Sequence, residues 1–274
     1  MEGGLLITAD QLKVMARSQG LAAGVMEKDY ALTWLLKGLY GRRSRLRDSL
    51  VLKGGTAIRK VYFPGTWRFS EDLDFTSSGG RGAAGIREAM EGIFGILQSD
   101  SGLSFSIDSF HATEGSIVAN VQFLGPLGFR NRIKHDINLT EKIIVTPERR
   151  IVKSNYPDLR SFTILAHSLD EVLVEKIRSI MQRGYSRDYY DVWRLTKERR
   201  FRASRIKGLL IRKCEAIGVK YEPRLLFDRE RIAEARTFWE KGLGYLTREL
   251  PDFKVVVSEL REALDFLVSN LQPK

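Results

Sequence analysis

Along the first part of the chain, apolar and polar positions mix helical spacing with strict alternation, whereas the later part keeps helical spacing throughout. Thr8 followed by Gln11 forms a capping box ahead of Leu12, Val14 and Met15, which places a helix start near Ala9. A second helix is predicted over Met26 to Tyr40, with Tyr30, Leu32, Trp34, Leu35 and Leu39 apolar and Gly41 as its stop. Leu50 to Leu52 then read as a short strand running into Gly54, Gly55 and Thr56, with a helix from Ala57 to Tyr62 closed by Pro64 and Gly65. Asp72 to Phe75 alternate as a half-buried strand does. Past Gly79, Gly80 and Gly82 the spacing predicts a helix over Ala83 to Gln98 and three strands over Leu103 to Phe110, Ile117 to Leu124 and Arg132 to Leu139.

After His167 the alternation stops. Ser168 with Glu171 caps a helix carrying Leu173, Val174, Ile177, Ile180 and Met181, and helical patterns continue over Arg187 to Lys197, Ala203 to Val219, Arg229 to Leu243 and Pro251 to Leu271. The pattern therefore predicts an α+β protein: an N-terminal domain over residues 1–160 with a mixed β-sheet flanked by helices, followed by a helical domain over residues 161–274.

Composition narrows the class. With 43% hydrophobic and 29% charged residues in 274, the chain resembles an ordinary folded protein rather than a disordered or collagen-like one. Its formal net charge of +11 favours polyanions, nucleic acid first among them. The lone Cys214 leaves no intramolecular disulfide, and His111, His135 and His167 are too scattered to supply a Cys/His metal spacing. Neither a signal peptide nor a stretch approaching the ~20 apolar residues of a membrane span is visible, so a soluble cytoplasmic protein with no membrane partner is expected.

The chemistry concentrates at carboxylates. Asp72 and Asp74 stand two apart on the predicted strand, on one face, and hard divalent cations such as Mg²⁺, with Mn²⁺ as the alternative, take oxygen ligands of this kind. Arg132, Lys134, Asp136 and Asn138 form the polar face of a later strand, from which Asp136 supplies a third carboxylate; the alternative is an exposed aspartate paired with Lys134. Three carboxylates can hold two ions for phosphoryl chemistry. Gly54, Gly55 and Thr56 join a strand to a helix start, where backbone N–H groups receive a phosphate and the Thr56 hydroxyl can add a hydrogen bond; Ser70, two residues before Asp72 on the same strand face, either touches metal or phosphate or is a satisfied strand-edge serine. No Walker or dinucleotide fingerprint is present. Trp67, Tyr185, Tyr189, Tyr190 and Trp193 include rings able to stack on a base, although core packing accounts for most aromatics at helical spacing.

Taken together, the glycine turn, the D-x-D pair and the later carboxylate resemble the nucleotidyltransferase superfamily typified by DNA polymerase beta. The likeness is closer to the AbiEii/AbiGii and MenT toxins of toxin–antitoxin systems. It is carried by Leu52-Lys53-Gly54-Gly55-Thr56-Ala57, by Arg68 through Phe75, by Glu27-Lys28-Asp29-Tyr30, by Leu173 through Arg183 with Glu175-Lys176-Ile177, and by Arg187-Asp188-Tyr189-Tyr190-Asp191. The resemblance covers about residues 25 to 195.

It implies a Mg²⁺-dependent enzyme that transfers nucleotides from a nucleoside triphosphate to RNA, the 3′ end of tRNA in particular, with a cognate antitoxin as partner. It also implies that Lys176 contacts the triphosphate and that Asp188 or Asp191, the latter preferred, completes the functional set, with the active site in the cleft between the two domains. The spacing of Lys176 and Arg183 puts both on one helix face, and Asp188 and Asp191 share another, but an ion-pair lattice among Glu175, Lys176, Arg183, Arg187 and Asp188 accounts for these charges equally well. Two other classes stay open: a small-molecule nucleotidyltransferase, which has no use for the basic surplus, and a non-catalytic nucleic-acid-binding protein, which has no use for the carboxylates.

Overall fold

The computed structural model describes residues 6–269. Its chain divides into two compact units, one of residues 1–141 and 147–167 and one of residues 142–146 and 168–274. The first is mixed α and β and the second helical, the α+β architecture that the sequence pattern predicts.

In the first unit, α1 (Ala9–Ser18) carries the capping box at its start: the Thr8 hydroxyl accepts from the Gln11 backbone while the Gln11 side chain accepts from Thr8. The next helix, α2 (Ala23–Tyr40), is apolar on nearly every side, and Tyr30, Leu32, Trp34, Leu35, Leu36 and Leu39 are buried. A helix of that character belongs inside a core. Its buried charges therefore need partners. The Glu27 carboxylate accepts from the Leu127 backbone N–H at 2.7 Å, and burial raises its pKa despite that bond. Asp29 accepts from Lys60 at 2.7 Å, from Arg59 at 3.2 Å and from the Tyr156 hydroxyl at 2.7 Å. Burial alone would raise the Asp29 pKa, but the charges of Lys60 and Arg59 bring it down to about 2.

One seven-stranded sheet forms the body of this unit. Its strands are β1 (Leu50–Lys53), β2 (Leu73–Ser77), β3 (Ser104–Ala112), β4 (Ser116–Leu124), β5 (Arg130–Asn138), β6 (Glu148–Val152) and β7 (Phe162–Ala166), in spatial order β3-β4-β5-β2-β1-β7-β6. β2 runs parallel to β5 and β1 parallel to β7, and the other neighbours are antiparallel. On β4 and β5, Ile117, Ala119, Val121, Phe123, Ile133, His135 and Ile137 face the core, while the residues between them face out. Such alternation is the mark of a sheet covered on one side. α2 and α4 (Ala83–Ser101) pack on that apolar side.

Strands β6 and β7 have no counterpart among the sequence expectations. β6 is an edge strand with only Val152 buried, and β7 joins β1 through the single register pair Leu52–Ala166, so neither shows a run of alternation long enough to be read.

The helical unit begins with α5 (Leu169–Gln182), capped by the Ser168 hydroxyl, and α6 (Ser186–Glu198), α7 (Ala203–Ala216), α8 (Arg229–Thr237), α9 (Trp239–Leu243), α10 (Phe253–Ala263) and α11 (Asp265–Val268) follow, with a 3₁₀ turn at Pro223–Phe227. The two last long helices of the sequence reading are each broken into two. Tyr189, Tyr190, Trp239 and Phe253 make its aromatic core, with ring centroids 4.9 to 6.1 Å apart. In the same unit Lys213 is fully buried; its ammonium donates to Glu171 at 2.8 Å, to Glu175 at 2.9 Å and to the Lys142 carbonyl at 2.9 Å. No helix among the described residues is long and apolar enough to cross a membrane.

Candidate active site

The site is built where β1, β2 and β5 lie side by side at the centre of the sheet. β2 and β5 pair in parallel with Asp74 directly beside Asp136. Adjacent strands stand about 4.8 Å apart and register partners point to the same face, so the two carboxylates project together. On the other side of Asp74, Lys53 is its register partner on β1, so a cation stands third in the row. Lys53 is ion-paired to Glu141, whose carboxylate is almost wholly covered. The far face of the same strands is apolar, with Phe75 stacked on His135 at 6.4 Å. Burial drives the His135 pKa down to about 4 against a bond to the Ile133 carbonyl, so this ring is neutral and structural.

Gly54 sits at the turn from β1 into α3 (Gly54–Ala57), which continues as a π-helical segment over Ile58–Tyr62. Its φ is +70°, a left-handed value that side-chain-bearing residues avoid, and a Cβ there would stand 2.4 Å from Oδ2 of Asp74. The glycine is needed twice over, for its backbone angle and for the close approach to the carboxylate. At Gly55 a Cβ would meet Nη2 of Arg68 at 2.9 Å and Oγ of Ser70 at 3.2 Å. The turn is therefore pressed against both Asp74 and the segment leading to it.

Two expected placements change. Ser70 and Asp72 both precede β2 and are not on it, so the pleat does not set their direction. The backbone there is instead fastened by Thr56, whose fully buried hydroxyl donates to the Asp72 carbonyl at 2.6 Å. A hydroxyl expected at a phosphate thus holds the segment carrying Asp72 to the glycine turn. Asp136 keeps the alternative partner too, since Lys134 Nζ is 3.3 Å from it, an exposed pair of the kind that contributes little and exchanges readily.

Gly54, Gly55, Thr56, Ser70, Asp72, Asp74 and Asp136 are thus brought together within the first unit. Lys176, Arg183, Asp188 and Asp191 come together in the second. Lys176 Nζ lies 2.8 Å from Asp188 and 2.9 Å from Asp191, and Arg183 Nε lies 3.3 Å from Asp188, with both aspartates buried. Of the expected lattice, Lys176, Arg183 and Asp188 are joined in this way and Asp191 is a further member, while Glu175 pairs with Lys213 and Arg187 donates to the Gly242 carbonyl and the Tyr245 hydroxyl. Among the aromatic candidates, Trp67, Tyr189 and Tyr190 are core residues and Tyr185 is exposed.

Sequence reasoning passed over Arg68, Lys53 and Glu141. Arg68 is buried and donates Nη1 to the Phe69 carbonyl at 3.0 Å. Its signal was the two-residue spacing of Arg68, Ser70, Asp72 and Asp74; that of Lys53 was a charge ending an otherwise apolar strand.

The donor set fits a divalent ion. Carboxylate oxygens from neighbouring strands converge on one partly exposed face, against a glycine whose missing Cβ leaves room beside Asp74. Elsewhere Glu171 and Glu175 also stand close enough to share an ion, but the Lys213 ammonium already pairs with both.

No curated protein matches the chain in sequence. A solved structure that is similar is MenT4, a nucleotidyltransferase toxin from Mycobacterium tuberculosis H37Rv, with a TM-score of 0.73 at 19% identity over 97% of this chain and 91% of that one, a likeness of fold. The sequence profile of the family described as "Nucleotidyl transferase AbiEii toxin, Type IV TA system" matches residues 37–269. The paired aspartates, the glycine turn pressed against them and this match over most of the chain agree: the protein belongs to the AbiEii family of nucleotidyltransferase toxins of type IV toxin–antitoxin systems.

Proposed function

We propose that the protein uses Asp72, Asp74 and Asp136 to bind Mg²⁺, or Mn²⁺ in its place, and transfers a nucleotide from a nucleoside triphosphate to the 3′ end of an RNA, tRNA in particular. The observation that carries this reading is the register of Asp74 beside Asp136 with Gly54 against Asp74. Bound divalent ions supply charge neutralisation on the phosphates and lower the cost of ionising the attacking hydroxyl. Gly54 and Gly55 let the phosphates approach the backbone, and Thr56 fixes Asp72 where the triphosphate arrives. Asp136 takes part in removing the proton of the acceptor's terminal hydroxyl. That oxygen bonds to the α-phosphorus as the α–β bridging bond breaks, and pyrophosphate leaves. Most of the rate enhancement comes from positioning and charge.

The surplus of +11 and the resemblance to RNA-modifying toxins support an RNA acceptor. Addition to a tRNA 3′ end blocks aminoacylation and stops growth, which a cognate antitoxin counters in the cytoplasm. The test is to incubate the purified chain with total tRNA, Mg²⁺ and each labelled nucleoside triphosphate in turn. Label on RNA from one or two of the four, abolished by EDTA, is expected; no label from any of them, with Mg²⁺ or Mn²⁺, overturns the reading.

A further inference from the structure

The face of β5 that carries Asp136 continues away from it as a single file of cations. Arg130, Arg132 and Lys134 occupy the alternate positions and are all exposed, while Ile133, His135 and Ile137 turn inward. Alternate residues of a strand stand about 7 Å apart, so the file reaches roughly 20 Å from Asp136. In register beside it on β4 lie Asn120, opposite Lys134, and Gln122, opposite Arg132. Beyond them on β3 come Ser109, opposite Asn120, and Ser106, opposite Gln122. Val118, opposite Asp136, and Leu124, opposite Arg130, share this face, so the strip is polar across its middle, at Lys134 and Arg132, and positive along one line.

The file ends at an aromatic ring held in the open. Phe129 is 75% exposed, the most exposed large apolar residue among those described. It follows a tight turn in which the Gly128 N–H donates to the Gly125 carbonyl at 3.0 Å, with Gly128 at φ +77°. The buried Glu27 carboxylate anchors that turn through the Leu127 N–H. The ring is thus presented by a fastened turn.

We propose that this strip is the track for the single-stranded 3′ end of the nucleic-acid acceptor, an inference that rests on Asp136 belonging to the reactive centre. Arg130, Arg132 and Lys134 contact successive phosphates, an unpaired base stacks on Phe129, and the terminal hydroxyl arrives at Asp136. One line of cations flanked by amides and hydroxyls suits one backbone, and an exposed ring at its end accepts any base. The present partners of two of these cations do not obstruct this. Arg132 sits 2.9 Å from Asp108 and Lys134 3.3 Å from Asp136, both as solvent-exposed pairs that a phosphate can displace.

The experiment measures binding of a fluorescent single-stranded oligoribonucleotide and of a blunt RNA duplex, without nucleoside triphosphate, from 50 to 200 mM salt. Wild type is compared with Arg130→Ser/Arg132→Ser and with Phe129→Ser; Lys134 is left in place because it touches Asp136. Each phosphate contact on a single strand contributes about 0.7 to the salt slope, so the double variant should lower the slope by about 1.4 and weaken binding at least tenfold. Phe129→Ser should weaken it at least about fivefold with the slope unchanged. In the transfer assay the variants should raise KM for RNA and leave KM for the triphosphate alone. Unchanged affinity and slope in the double variant overturn the inference, as does duplex binding that matches single-strand binding and falls with it. If the variants do not fold, photocrosslinking of a 4-thiouridine strand to wild type decides: crosslinks within residues 124–134 sustain the track, and crosslinks confined elsewhere refute it. Failure of the transfer reading shows differently, as a wild type that binds RNA by this strip but never labels it.

Discussion

Replacing Gly54 by alanine perturbs the site through one methyl group. The left-handed backbone at φ +70° costs a side-chain-bearing residue about 1–2 kcal/mol. The new Cβ would also lie 2.4 Å from Oδ2 of Asp74, whereas a carbon and an oxygen in ordinary contact stand about 3.3 Å apart, so the carboxylate must retreat by roughly 1 Å. A misplacement of that size at a reacting centre costs about 100-fold in rate. Gly65→Ala supplies the control: φ there is +81°, yet its Cβ would meet only Asn155 at 3.9 Å. The two variants should lose similar stability in urea unfolding, about 1–2 kcal/mol each. Labelled-nucleotide transfer should fall about 100-fold for Gly54→Ala and stay at the wild-type level for Gly65→Ala. Equal transfer by the two variants would refute the idea that Gly54 exists to admit Asp74.

Other parts of the account are open to equally direct checks. Thr56→Val removes the donor to the Asp72 carbonyl and should cost about 1–3 kcal/mol in unfolding together with a clear loss of transfer, while Thr56→Ser keeps both. Asp29→Asn leaves Lys60 and Arg59 without their buried carboxylate and should cost about 3–5 kcal/mol near pH 7. The folded pKa of Asp29 is about 2 against an ordinary 3.8, so its charged form adds stability above pH 4 that is lost as the pH falls towards 2. That loss is about 2 kcal/mol in wild type and should be missing from the acid limb of the asparagine variant. In the helical unit Lys213→Met strands two buried glutamates and should cost about 3–5 kcal/mol by the same measurement, with partial recovery when Glu171 and Glu175 are both changed to glutamine.

Much of this site could be read from the sequence because the pleat of a strand has a fixed period. Asp136 was found among Arg132, Lys134 and Asn138 by alternation alone, and β5 shows that alternation directly. Its register with Asp74 depends on a parallel pairing between strands more than fifty residues apart, which no local pattern encodes. The Gly54–Gly55 turn was legible as a turn, but the reason for glycine, the carboxylate beside it, appears only in three dimensions. Thr56 was misjudged because a hydroxyl near a glycine turn can face a ligand or its own backbone, and the neighbour that decides is sixteen residues away. β6 is hard to read because an edge strand with one buried residue has no period to show, and β7 because Phe162–Ala166 is a short, almost wholly apolar run with only Ile164 and Ala166 buried. The pairing of Lys176 and Arg183 with Asp188 is legible as one of two readings, since helical spacing brings such charges together whatever purpose they serve, but the place of Asp191 beside Lys176 depends on how two helices pack.

The central claim, that Asp74 on β2, Asp72 just before it and Asp136 on β5 perform nucleotidyl transfer, is tested most directly by the double variant Asp72→Asn/Asp74→Asn. Its transfer of labelled nucleotide to RNA is followed alongside growth inhibition in cells producing it. The account predicts a folded protein that still binds RNA, puts no label on it and lets the cells grow. A double variant that labels RNA and arrests growth as wild type does would contradict the claim.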